Sequence, residues 1–154
     1  MSYHHLRLPI AQATVALLPA VEFKRNGTSF TKNAADWIEH YVIIGNRWNS
    51  GELPWLFCIE VSIELAGIPP KAGAKGLWKH CHAVGSKSAL CKSLPRDFEV
   101  RPDSVSIAGA KVAEALAILS HAVADQVQQI RVRALQGLLS PLPVPPNWTP
   151  LNAD

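Results

Sequence analysis

Hydrophobic positions recur along this chain at spacings that predict helices over most of its length. Over 31–45, Trp37, Tyr41 and Ile44 fall four and three apart, and Ala34, Ile38 and Val42 widen that face. Thr31 offers a cap and Gly45-Asn46 a stop. A second helix is expected over 53–66, with Pro54 in its first turn, Glu52 near the positive end of its dipole and Gly67 terminating it. Trp55, Ile59, Ser62, Ile63 and Ala66 would share its apolar stripe. Pro69-Pro70 breaks the pattern, and Leu77, Cys81 and Val84 then predict a third, shorter helix. Phe98 and Val100 alternate with charges over 97–101, the pattern of a short strand or β wing. The strongest periodicity follows Pro102: Val105, Ala108, Val112, Ala115, Leu119, Val123, Ile130, Ala134 and Leu138 predict one helix over 103–139, capped by Asp103 and roughly 50 Å long.

The ends differ from this middle. Residues 1–30 read as an arm of short strands or extended chain, interrupted by Pro9 and Pro19 and turning at Asn26-Gly27. Residues 140–154 hold five prolines and Trp148 and read as an extended tail. The expected architecture is therefore mainly α: an N-terminal arm (1–30), a helical domain (31–139) with a helix-turn-helix-like unit and a long C-terminal helix, and a Pro-rich tail (140–154).

Composition narrows the class. With 154 residues, 48% hydrophobic and 18% charged, the chain has material for one core, and global disorder is excluded. Cys58, Cys81 and Cys91 cannot all pair within one chain, so a disulfide framework is not expected and a reducing compartment fits. The apolar stretch from Ala11 to Ala20 is too short and interrupted to span a bilayer, and it meets the pattern of a signal peptide only in part. The expected location is cytoplasmic, or within a virion, with no membrane partner.

Charge supplies the candidate chemistry. The formal net charge is +3, and seven of the fifteen basic residues fall between Lys71 and Arg101, opposed there only by Asp97 and Glu99. On a helix over 74–83, Lys75, Lys79 and His82 share the side opposite Leu77 and Cys81, with Trp78 beside them. Lysines in a row with an indole can contact phosphates and stack on a base, and Ser86 and Lys87 add a hydroxyl and a cation. The candidate nucleic-acid-binding residues are Lys71, Lys75, Trp78, Lys79, His82, Ser86, Lys87, Lys92 and Arg96. The competing reading is that lysines four apart merely solvate a helix face and Trp78 is core.

Glu64-Leu65-Ala66-Gly67-Ile68-Pro69, with Gly76-Leu77 and Gly85, resembles the N-terminal DNA-binding domain of Mu-type phage transposases and repressors. That resemblance implies a winged helix-turn-helix, with the helix bearing Lys75 and Lys79 in the major groove. Pro54-Trp55-Leu56-Phe57-Cys58 resembles the start of the nucleophile helix in peptidoglycan amidases, with Cys58 two places late. It implies a cysteine hydrolase in which His80, His82 or His121 activates the Cys58 thiol. Cys58, His80, His82 and Cys91 match no common zinc spacing, and Glu60 and Glu64 read as a solvated pair one helical turn apart. No phosphate-binding Gly-rich loop or dinucleotide fingerprint is present, so no metal and no cofactor are expected. The expected function is non-enzymatic: nucleic-acid binding by a protein of phage, virus or mobile-element type. It would self-associate through the helix over 103–139 and the terminal tails, either as a DNA-binding regulator or as an assembly subunit. The alternatives are the cysteine hydrolase and a protein-only interaction subunit.

Overall fold

The computed structural model describes residues 3–67, 83–86, 94, 97–135 and 148–150, and only the backbone of 83–86, 130, 133, 134 and 148–150. Within these residues the fold is an antiparallel sheet with two helices, not a mainly α bundle. A 3-10 turn, His4–Leu6, leads into α1 (Arg7–Val15). The strands β1 (Phe23–Asn26), β2 (Ser29–Asn33), β3 (Trp37–Gly45) and β4 (Trp55–Leu65) then form a meander of antiparallel neighbours. The far edge of β4 is shared. β6 (Phe98–Val100) pairs with Trp55–Phe57, β5 (Ala83–Ser86) pairs with Glu60–Ile63, and β7 (Trp148–Pro150) pairs with β5. α2 (Val105–Leu135) is the second helix.

Period two, not period 3.6, organises the centre of the chain. In β4 the odd positions Trp55, Phe57, Ile59, Val61, Ile63 and Leu65 are all buried, whereas Leu56, Cys58, Glu60 and Glu64 are half-buried. A strand sends alternate side chains to opposite faces, so one face carries the core. Glu39, Tyr41 and Ile43 of β3 and Phe30 of β2 lie on that same face. The helices expected over 31–45 and 53–66 are therefore strands. β-branched Ile59, Val61 and Ile63 and the aromatic rings pack well on a pleated surface, and on β3 Trp37 and Tyr41 share one face while Ile44 lies on the other. Losing the helix over 53–66 also removes the first helix of the expected helix-turn-helix. The short helix expected over 74–83 falls outside the described residues except for Ala83, which belongs to β5, as does Val84 of its apolar stripe.

Both helices cover the core face. Leu6, Ile10 and Ala11 from the N-terminal segment join Val112, Leu116, Leu119, Val123 and Val127 of α2 in one cluster with the inward residues of the sheet. The extended arm expected at the N-terminus is thus helical over Arg7–Val15. Pro9 falls in the first turn, where an N–H has no intrahelical partner to lose. The expected strand over 97–101 is present as β6, the Asn26-Gly27 turn has Gly27 at φ 62°, and the expected long helix is present as α2. The Val105–Gln129 stretch of α2 is long and apolar enough to cross a membrane, but half of it is buried within the molecule, as in a core helix. Arg131 ties the end of α2 to the sheet, donating to the carbonyls of Ala66 (3.1 Å) and Asp36.

Candidate functional site

The two longest strands, β3 and β4, are joined by a loop whose backbone is held by two asparagines. Asn46 closes a tight turn: its Oδ1 accepts from the Trp48 N–H at 2.8 Å and its carbonyl from the Asn49 N–H at 3.1 Å. Asn49 reaches across to Leu56 at the start of β4, donating to its carbonyl at 2.7 Å and accepting from its N–H at 2.9 Å. Asn46 Nδ2 also donates to Asp97 Oδ1 at 3.3 Å, which links the turn to the segment entering β6. Asparagine does this because its short amide mimics a backbone turn, and Gly51 supplies a positive φ of 86° further along.

The turn displays Arg47 and Trp48. The Arg47 guanidinium carbon lies over the indole, 4.8 Å from its centre, a cation–π contact. Trp48 nevertheless stays 75% exposed, so the opposite ring face is open to solvent. Trp48 is among the most exposed large hydrophobic side chains of the described residues, and it is held on a hydrogen-bonded turn beside a cation.

Two other polar groupings have the residues of catalytic sites but not the surroundings. On the core face, Lys32 Nζ donates to Ser120 Oγ at 2.7 Å, and Tyr41 Oη and Trp37 Nε1 donate to the two oxygens of buried Glu39 at 2.5 and 2.8 Å. A cavity of about 360 Å³ opens beside them, between Phe23, Trp37 and the Ala117–Ala124 stretch of α2. A nucleophilic serine needs N–H groups aimed at a developing oxyanion. Ser120 sits in mid-helix, where the backbone N–H groups are committed to the helix, so the Lys32–Ser120 contact acts as a pin between sheet and helix. Burial raises the Tyr41 pKa well above its ordinary value, and the Glu39 charge and its hydrogen bond raise it further, so the phenol stays a donor.

On the opposite face, His40 Nε2 lies 3.3 Å from Glu64 Oε2, with Ser62 directly across the ladder from His40. Ser62 is fully buried, which closes it to a substrate. Cys58 is carried by a strand, not by the helix that the amidase resemblance implied, and it is half-buried. It stands four residues along β4 from the partner of His40, about 14 Å at strand rise, beyond hydrogen-bond reach. Glu60 and Glu64 have the same strand separation, so they form no carboxylate pair. Among the described residues no cluster of His, Cys, Asp and Glu could hold a metal ion.

Lys71, Lys75, Trp78, Lys79, His82, Lys87, Lys92 and Arg96 lie outside the described residues, as do His80, Cys81 and Cys91. Ser86 is the last residue of β5, opposite Glu60. His121 is exposed on α2. Arg47 and Trp48 carry no motif, and their one sequence signal is an aromatic beside a cation inside a run of turn-formers, Asn46 to Gly51. No family model, curated protein or solved structure matches the chain.

Proposed function

We propose that this protein is a small non-enzymatic nucleic-acid-binding subunit that self-associates, of the kind used in phage, viral or mobile-element assemblies. The observation that carries the reading is the Arg47 guanidinium lying over an indole that remains 75% exposed on a hydrogen-bonded turn. A guanidinium meets phosphate and an indole face meets a base, the two surfaces that every nucleic acid offers. Arginine and tryptophan also anchor protein contacts. The net charge of +3 and the concentration of lysines between Lys71 and Lys92 favour a polyanion.

The test is the salt dependence of binding. The logarithm of the association constant for a mixed-sequence oligonucleotide should fall linearly with the logarithm of salt concentration. Lys75→Ala combined with Lys79→Ala should reduce that slope by about two, and Arg47→Ala by about one. Affinity that does not respond to salt, or no binding at low salt, removes the reading.

A further inference from the structure

We infer that the Arg47–Trp48 turn is a single-base clamp, so that the nucleic acid engaged there is single-stranded. This rests on the nucleic-acid reading above and adds to it the form of the ligand. One face of the Trp48 ring is already covered by the Arg47 guanidinium, and the other is free. A free indole face offers a flat apolar surface against which a nucleobase can be laid. In a duplex the base faces are covered by their neighbours, and reaching them means unstacking a step; in a single strand they are available. The layer order would be guanidinium, indole, base. The guanidinium N–H groups remain able to meet the phosphate beside that base.

The turn is suited to this because it is rigid before the ligand arrives. The Asn46 and Asn49 side chains fix the backbone on both sides of the pair and anchor it to Leu56 and Asp97. Little loop ordering is left for binding to impose. The pair uses none of its own side-chain atoms in those bonds, so the ring and the guanidinium are displayed without supporting the turn.

The experiment is a fluorescence-anisotropy titration of the 154-residue chain against three labelled probes at equal salt. The probes are a mixed-sequence single strand, the same strand annealed to its complement, and an abasic strand of the same length, which keeps the phosphates and lacks the bases. The intact single strand should bind most tightly. Trp48→Ala should weaken it roughly five- to 150-fold, to near the abasic strand, while leaving the salt slope unchanged. Trp48→Phe, which keeps a ring, should recover most of the loss, and it serves as the control if the alanine variant folds poorly. If the three probes bind alike and Trp48→Ala changes none of them, the clamp is wrong and the nucleic-acid reading stands. If no probe binds in a salt-sensitive way, that reading fails as well. If Trp48→Ala changes the oligomer mass and no oligonucleotide affinity, the turn is a protein contact and the clamp is overturned.

Discussion

Glu60 carries its carboxylate on the sheet face away from the helices, and partial burial raises its pKa above the ordinary value by desolvating the charged form. A carboxyl whose folded pKa exceeds its unfolded one favours the fold below the unfolded value, and that contribution is lost as pH rises through the folded value. At neutral pH ionised Glu60 is therefore a cost. Glu60→Gln should raise the thermal midpoint at pH 7, and the gain should vanish near pH 4, where the wild-type group is protonated too. Equal gains at both pH values in calorimetric scans would refute this. Glu39 is the contrasting case, a carboxylate 1% exposed but matched by the Tyr41 hydroxyl and the Trp37 N–H. Neither role was legible in the sequence, because burial and pairing depend on which strand lies alongside. The turn-forming character of Asn46, Asn49 and Gly51 was legible, since those residues act on their own backbone.

At the scale of elements, the helices meet where a side chain is missing. A Cβ on Gly109 of α2 would stand 2.6 Å from Ala13 Cβ and 3.0 and 3.1 Å from backbone atoms of Ala13 and Thr14 in α1. Backbone cannot rotate aside, so Gly109→Val must separate the helices. Overpacking of this kind costs about 1–3 kcal/mol, which for a chain of this size lowers the melting temperature by roughly 2–12 °C. Ala110→Val, at the exposed neighbouring position, should leave it nearly unchanged, and equal losses in the two variants would refute the close crossing. α2 was legible because its periodicity runs for many turns. β3 and β4 were misread as helices because Trp55 to Ile59 is a continuous apolar run in which apolar and polar residues do not alternate, and because Pro54 and Gly67 flank β4 with signals that also bracket helices. α1 was missed for the converse reason, since Pro9 interrupts a helix only beyond its first turn.

For the whole molecule, the buried residues of sheet and helices gather in one cluster among the described residues, and the sheet's pairing was hidden because it joins residues far apart in the chain. β6 and β5, for instance, share an edge of a strand that precedes both. The outer surface of α2 keeps Ile107, Val132 and Leu135 at 61%, 51% and 69% exposure, and Leu17 and Val21 are similarly open after α1. Apolar groups left in water at the far end of α2 are the surface on which self-association is proposed. Light scattering at increasing concentration should give masses above one chain, and Val132→Glu with Leu135→Glu should return the mass to that of one chain. A concentration-independent single-chain mass in the unaltered protein would count against assembly.

The frame of the β3–β4 turn and the pair it displays are made by different residues. Substitution at 47 and 48 can thus change what the tip displays while Asn46 and Asn49 preserve its shape. Such a division of labour leaves the side chains at the tip free to vary at little risk to folding, much as the tip of an antibody loop diversifies on a constant scaffold.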